Sequence, residues 1–169
     1  TIIKMSQLIL SMSDQEHSEA TTVARRFIAY RLRSEFEVTR KLSTKFESHT
    51  VEAAVAQMYR EHLIDDMQFA KSFTDSRMAG RPKSASAIRQ ELKYKGISKE
   101  IADTVTADLS DYDSALSAGR KKARSLRKNA EHEFSRKLSS HLARRGFNYE
   151  LSRKIVELLC REIYSLDKR

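Results

Sequence analysis

Ile64-Asp65-Asp66-Met67-Gln68-Phe69-Ala70, followed as far as Lys95-Gly96-Ile97, is the stretch whose reading decides the fold. It holds a helix start, a helix, a basic turn, a second helix and a glycine stop. Asp65 and Asp66 stand directly before the apolar positions Met67, Phe69, Ala70 and Phe73. A carboxylate there accepts the free N–H groups of a first helical turn and faces the positive end of the helix dipole. No ligand partners lie near the acidic pair, so a helix start accounts for it better than a metal or acid–base pair. The next helix is predicted from about Ser84 to Lys95, through Ala85, Ile88 and Leu92. Lys93 and Lys95 suit its negative end, and Gly96 stops it in a left-handed conformation without strain. Ser98 is then predicted to cap a third helix carrying Ile101, Ala102 and Val105.

Upstream, a helix is predicted from about Glu19 to Leu32, with Val23, Phe27 and Tyr30 on one face and Arg25, Arg26, Arg31 and Arg33 around them. Ser34-Glu35-Phe36-Glu37 has the spacing of a capping box. A second helix runs on through Phe36, Thr39, Leu42 and Phe46, and a third through Val51, Ala54, Val55, Met58 and Tyr59. Residues 1–19 have apolar positions (Ile2, Ile3, Met5, Leu8, Ile9, Leu10, Met12) without one clean period. A short helix and a strand fragment both fit, with the polar run Asp14 to Glu19 leading into the first helix. The first residues, Thr-Ile-Ile-Lys-Met, lack an initiator Met, which fits a chain that begins inside a longer protein.

A repeat emerges by subtraction. Leu42, Leu92 and Leu142 recur at one fixed interval, and so do Lys45, Lys95 and Arg145. Ser48, Ser98 and Asn148 follow, then Val51, Ile101 and Leu151, then Val55, Val105 and Ile155. Each set has one job: core leucine, basic helix end, helix N-cap, core, core. Gly96 and Gly146 also match, but Phe46 holds that place in the first copy. The predicted fold is all-α, three tandem three-helix repeats with a period of about fifty residues, each too small to be stable alone. The expected divisions are a lead-in over 1–19 and repeats over 20–64, 65–112 and 113–169.

The third copy opens with the most basic run of the chain, Arg120-Lys121-Lys122-Ala123-Arg124-Ser125-Leu126-Arg127-Lys128. At helical spacing Arg120, Lys121, Arg124, Arg127 and Lys128 share one face, and Leu116, Ala123, Leu126 and Ala130 the other. The formal net charge is +9. By segment it is about −2 over 1–19, +3 over 20–64, zero over 65–112 and +8 over 113–169, summing aspartate, glutamate, lysine and arginine. The positive field therefore comes mainly from the third repeat. A solvated helix face is one reading of the stripe. Contact with phosphates or an acidic protein groove is the other, and five cations with no acid among them exceed what solubility needs. Arg25, Arg26, Arg31 and Arg33 are weaker candidates because glutamates follow at once.

Forty per cent of the residues are hydrophobic, enough for a core, and only four glycines and one proline punctuate 169 residues, against a turn-rich β fold. A single cysteine, Cys160, excludes an internal disulfide and fits a reducing, cytoplasmic setting. No apolar run is long enough for a membrane span. There is no phosphate loop, dinucleotide fingerprint, H-E-x-x-H or paired-cysteine motif, and His17, His49, His62, His132 and His141 have no ligand spacing. No cofactor, no metal and no catalytic residue is expected. Cys160, among Leu158, Leu159 and Ile163, reads as a buried thiol. Tyr30, Tyr59, Tyr94 and Tyr149 sit mostly at core spacing, which does not indicate a base-stacking platform.

The residues also resemble a known family. Ala24-Arg25-Arg26-Phe27-Ile28-Ala29-Tyr30-Arg31-Leu32-Arg33-Ser34-Glu35, with Lys41-Leu42, is similar to the first signature of the RecX family. Leu63-Ile64-Asp65-Asp66 with Phe69-Ala70, Phe73 and Arg77 resembles the second. Ile88-Arg89-Gln90-Glu91-Leu92 with Lys95-Gly96-Ile97 resembles the third, and Arg144-Arg145-Gly146-Phe147 the fourth. The likeness covers about residues 20–160, and Gly80-Arg81-Pro82-Lys83-Ser84 departs from the family's glycine-rich turn.

The resemblance implies a regulator of the RecA recombinase. It implies tandem three-helix repeats in an elongated, curved array that bind in the groove of the RecA–DNA filament and usually inhibit it. ATP hydrolysis, strand exchange and repressor co-cleavage would fall as a result. The implied partners are the RecA filament and, weakly, DNA, with no membrane; the chain is expected to be a monomer. The expected contacts are Arg120, Lys121, Arg124, Arg127, Lys128, Arg144 and Arg145, with Arg31 and Arg33 second. Asp65, Asp66, Phe69 and Gly96 are expected to be structural. Two rivals remain from the residues themselves: a sequence-independent nucleic-acid-binding protein, and a helical scaffold for an unrelated acidic protein.

Overall fold

A computed structural model describes residues 2–164, with side chains from Ser13 onward. Thr1 and residues 165–169, which the sequence assigns to the lead-in and the third repeat, lie outside the described residues. So do the side chains of residues 2–12, including the apolar positions named above. Among the described residues there are nine α-helices and no strand. They are α1 (Ile2–Ala29), α2 (Glu35–Leu42), α3 (Ser48–Arg60), α4 (Asp66–Gly80), α5 (Ala85–Tyr94), α6 (Lys99–Thr106), α7 (Asp111–Leu126), α8 (Glu131–Ala143) and α9 (Tyr149–Tyr164). In chain order they make three three-helix repeats.

α1 is one helix of 28 residues, where the sequence suggested a start near Glu19. No glycine or proline interrupts residues 2–29, so nothing ends the helix at the polar run Asp14 to Glu19. His17 inside that run donates from Nε2 to Gln57 Oε1 of α3 at 2.8 Å.

The chain forms two compact units. The first comprises residues up to Ala70 together with Lys93–Ile101, and the second Lys71–Leu92 together with the residues from Ala102 on. The division runs through α4, α5 and α6. The core of the first unit gathers Ala20, Ala24, Val38, Leu42, Val51, Ala54, Val55, Met58 and Ile64. In the second, Phe134, Leu138, Leu142, Ile155, Val156 and Leu159 close over Ala115, Ala118 and Ala123. Leu42, Leu92 and Leu142 are all completely buried, as the repeat spacing predicts.

Within the first compact unit, the start of α2 is capped twice. Ser34 Oγ accepts the Glu37 N–H (3.2 Å) and donates to the Lys95 carbonyl (2.6 Å). The Glu35 N–H donates to Asp66 Oδ1 at 2.9 Å, while Asp65 Oδ1 takes the Gln68 N–H of its own helix at 2.9 Å. The acidic pair therefore divides its work, one carboxylate capping α4 and the other the earlier α2. Gly96, with φ +78°, brings the α5–α6 turn so close that an added Cβ would lie 2.2 Å from Phe36 Cβ.

The second compact unit holds the same device. Ser84 Oγ accepts the Ala87 N–H (3.1 Å), and the Ser84 N–H donates to the Arg145 carbonyl (3.0 Å). The Ala85 N–H donates to Asp111 Oδ1 at 2.7 Å. Gly146, φ +84°, would place a Cβ 2.6 Å from Ser84 Oγ and 2.7 Å from Ala87 Cβ. The glycines thus answer to a close approach between helices as well as to a helix stop. Phe46 can stand at the matching place in the first repeat because its φ is not positive, unlike those of Gly96 and Gly146. Its backbone N–H simply closes on the Leu42 carbonyl at 3.0 Å, and its ring packs on the first core. At the third repeat the N-cap is Ala130, which has no side chain able to cap.

Three local readings need correction. Glu37 does not complete a capping box on Ser34; its carboxylate turns to Arg31 (2.9 Å) and Lys95 (2.8 Å), two cations that outcompete one backbone N–H. Phe36 is exposed rather than part of the α2 core face. Ser48 lies inside α3, whose N-cap is Glu47 without a side-chain cap, and bonds Glu52 instead. Ser98 and Asn148 do cap, taking the N–H groups of Ile101 (3.3 Å) and Leu151 (2.8 Å).

The Glu37 cluster makes the first compact unit sensitive to acid. Burial pushes the Glu37 carboxyl up, but hydrogen bonds and charge from Arg31 and Lys95 outweigh it and hold the pKa at about 2, below its ordinary 4.5. A depressed carboxylate stabilises fully above its unfolded pKa, and that contribution fades as pH falls toward the folded value. Glu37→Gln is therefore expected to cost about 1–2 kcal/mol at pH 7. The gap to wild type should narrow from about pH 4.5 down to about 2. Thermal melts of both proteins across that window test this; a gap as wide at pH 2.5 as at pH 7 would contradict the ion-pair account.

Candidate functional site

The basic run is built by α7. Ala115, Ala118, Ala123 and Leu126 are buried, and Gly119 lets Ile155 and Leu159 approach to 3.0 Å of where a Cβ would sit. This leaves Arg120, Lys121 and Arg124 on the exposed side, where with Asp113, Leu116 and Ser117 they line an open groove. α7 ends at Leu126, so Arg127 and Lys128 extend the stripe from the following turn rather than from the helix. Ala130, expected on the buried side, is exposed at the start of α8. Arg120 pairs with Glu162 at 2.9 Å, and Lys121 donates to the Gly80 carbonyl at 3.1 Å. Arg124, Arg127 and Lys128 are exposed and have no ion pair among the described residues.

Arg144 and Arg145 lie in the α8–α9 turn and behave differently. Arg144 is exposed. Arg145 is half-buried and fixed at both ends of its guanidinium, Nε donating to His141 Nε2 at 2.9 Å and Nη1 to the Pro82 carbonyl at 3.1 Å. His141 thereby presents an unprotonated Nε2. Its pKa is held down at about 4 by burial, then by the charges of Arg145, Lys122 and Arg144. Burial, then the charges of Arg81 and Arg144, also press on Arg145 itself. Arg81 and Lys122 therefore belong to this cluster. Sequence reasoning passed over both, Arg81 as part of a turn and Lys122 as lying off the stripe. The recurrence of Arg145 at the Lys95 position and of Gly146 at the Gly96 position signalled the turn, but not that Arg81 and Lys122 act on it.

Arg31 and Arg33 have internal partners in the first compact unit. Arg31 grips Glu37 through both terminal nitrogens at 2.9 Å. Arg33 lies 3.8 Å over the Phe27 ring and donates to the Phe27 carbonyl at 3.2 Å. Using either for a partner would break these contacts.

The tyrosines differ from their expected core placement. Tyr30, Tyr94 and Tyr149 are 86%, 73% and 83% exposed. Each stands at or just beyond a helix end, where helical spacing no longer fixes which side faces the core. Tyr59 is partly exposed and donates its hydroxyl to Glu35 at 2.8 Å. Cys160 is buried, with Sγ 3.2 Å from Ser135 Oγ. Among the described residues, no group of three or more His, Cys, Asp or Glu side chains is placed to hold a metal ion. Nor is any described helix long and apolar enough to cross a membrane.

Family models match the chain in repeat order: RecX first three-helix domain over residues 14–58, second three-helix domain over 65–105 and third three-helix domain over 110–156. A regulatory protein RecX of Prosthecochloris aestuarii is 33% identical over 152 residues, 88% of this chain and 98% of that relative. This chain belongs to the RecX family. A regulatory protein RecX of Chlorobium phaeobacteroides is 34% identical over 154 residues, 89% of this chain and 99% of the relative. The crystal structure of RecX from Lactobacillus salivarius matches with a TM-score of 0.71 at 23% identity, over 86% of this chain and 97% of that one. A further crystal structure of a regulatory protein RecX matches at 0.74 and 22% identity, over 90% and 77%. At these identities the structural likeness speaks to the RecX fold alone. Of the signature residues, Asp66 and Gly96 lie against the start of α2, and Asp65 caps α4 in this RecX chain.

Proposed function

We propose that this chain binds the RecA–DNA nucleoprotein filament in its groove and inhibits it, lowering ATP hydrolysis, strand exchange and co-protease activity, without performing chemistry itself. Membership in a family whose relatives are named regulatory protein RecX carries this reading. The uncompensated cations after α7 support the polyanionic part of it, because exposed basic side chains without internal partners have their full charge available to a filament. The same cations favour one second reading, sequence-independent nucleic-acid binding that acts on RecA only by competing for single strands.

The deciding experiment is ATP hydrolysis by preformed RecA filaments on excess single-stranded DNA, with this protein added well below the RecA concentration. Lost hydrolysis at that ratio supports action on the filament, since so little protein cannot mask the DNA. Unchanged hydrolysis with DNA binding still detectable supports competition. Reversing Arg124, Arg127 and Lys128 together to Glu is expected to raise the concentration for half-inhibition at least tenfold, roughly 1.4 kcal/mol or more of lost contact. Unchanged inhibition by that variant would remove these three cations from the interface.

A further inference from the structure

The third repeat has an open furrow that the second repeat fills. It runs between α8 and α9, wholly inside the second compact unit, as two adjoining hollows that share Val156 and Glu157. Its floor is made of small side chains at helical spacing on both sides, Ser135, Ser139 and Ala143 on α8 and Ser152, Val156 and Cys160 on α9. Ser135 Oγ and Cys160 Sγ meet across it at 3.2 Å. In the second repeat Arg89 stands where the third has Ser139, in the register that matches Leu92 to Leu142. Arg89 reaches across to α6, donating from Nη1 to Thr106 Oγ1 at 2.9 Å and lying 3.6 Å from Asp103. One long side chain thus closes the furrow in the second repeat, and a serine leaves it open in the third.

The floor also holds a hydroxyl with no partner. Ser152 is 5% exposed and lines the furrow, yet its Oγ has no hydrogen-bond partner among the described residues. A buried hydroxyl left unpaired destabilises, and an occupant bringing an acceptor would satisfy it. Side chains this small let another backbone come close, and a groove between two packed helices fits an amphipathic helix. Tyr149, 83% exposed at one end, supplies an aromatic anchor of the kind that protein interfaces use.

Charge selects among such helices. Arg136, three residues before Ser139 on the same side of α8, is exposed and has no ion pair among the described residues. Of the carboxylates along the furrow, Glu157 is held by Arg153 at 3.0 Å and Glu131 stands at the end away from Tyr149. Fifteen lysines and arginines against seven acids over 113–169 leave the repeat at +8. The floor itself carries no cation, so a phosphodiester strand finds nothing to grip there. A helix with carboxylates on its flanks matches both the basic surroundings and the unpaired hydroxyl.

We propose that the α8–α9 furrow is the docking site for an acidic amphipathic helix of a protein partner, with small apolar side chains on the floor and a carboxylate on the Ser152 hydroxyl. This goes beyond the filament reading and does not depend on it.

The test is fluorescence anisotropy of a labelled synthetic helical peptide with the full chain. The peptide has about 18 residues, enough to span the furrow, with Ala and Leu on one face and Glu on the flanks. A second peptide has Lys in place of every Glu. Wild type is expected to bind the Glu peptide at least about tenfold more tightly than the Lys peptide. Ser139→Arg, at an exposed position, copies the second repeat by filling the furrow. It is expected to weaken the Glu peptide at least about tenfold although it adds a positive charge. Unchanged or tighter binding, which charge alone would give, overturns the site, and so does equal binding of the Lys peptide. Ala143→Arg, also exposed, repeats the test at the other end of the floor. Sedimentation of wild type as a dimer and of Ser139→Arg as a monomer would give the furrow to a second copy and overturn the acidic partner. Glu-peptide binding that Ser139→Arg abolishes upholds the site even where wild type leaves RecA ATP hydrolysis untouched, so the two readings fail separately.

Discussion

Gly96→Ala is expected to destabilise the protein by about 3 kcal/mol or more. Gly96 has φ +78°, where a Cβ costs about 1–2 kcal/mol in any protein. The new Cβ would lie 2.2 Å from Phe36 Cβ, an atom joined directly to the α2 backbone that no rotamer change can move. Either α2 or the α5–α6 turn has to withdraw, and with it go the Ser34 bond to the Lys95 carbonyl and the close approach itself. Gly146→Ala should behave alike, its Cβ 2.7 Å from Ala87 Cβ. Gly80→Ala is the control. Nothing lies within 4 Å of its Cβ position, its φ is not positive, and it ends a helix, so it should be neutral or slightly stabilising. Urea unfolding of the three variants decides: Gly96→Ala no less stable than Gly80→Ala would mean the close approach is not a constraint.

Phe134→Ala is expected to cost about 3–5 kcal/mol, roughly 10 °C in melting temperature for a chain of this size. Phe134 is completely buried at the start of α8, the largest such side chain, and meets the Tyr164 ring edge to face at 5.5 Å. Truncation removes the side chain that joins α8 to the end of α9 and leaves a void that Leu138 and Leu142, already in place one and two turns on, cannot reach to fill. Phe134→Leu should lose much less. Hydrogen exchange should then quicken in α8 and α9 while α1 and α3, in the other compact unit, keep their protection. Uniform loss of protection would show that the two units unfold together.

These sites mark how far the sequence could be read. The repeat was legible because Leu42, Leu92 and Leu142 hold a fixed spacing and one environment. Gly96 and Gly146 were legible as helix stops, but their second duty involves Phe36, Ser84 and Ala87, some sixty residues upstream, which local signals do not report. Asp66 read as a helix start; that its carboxylate serves α2 instead of α4 depends on the same long-range contact. The capping box failed at Glu37 because two cations compete for its carboxylate, one of them Lys95. Charge counts found the α7 stripe, and the glutamates that follow Arg31 placed it second; Arg31 indeed grips Glu37, while Arg124 has no ion pair among the described residues. Tyrosines at helix ends misled for a geometric reason: the helical period assigns faces only where the helix continues.

The shared cap also sets an order of completion during synthesis. Ser34 waits for a carbonyl 61 residues further along the chain, and Glu35 for a carboxylate 31 residues on. A ribosome adding about 5–20 residues per second leaves α2 without its full cap for roughly 3–12 s after Ser34 is made. Ser84 then waits as long for Arg145. The nascent chain is thus closed from behind, the first and second repeats acquiring these hydrogen bonds only when the second turn of the following repeat has emerged.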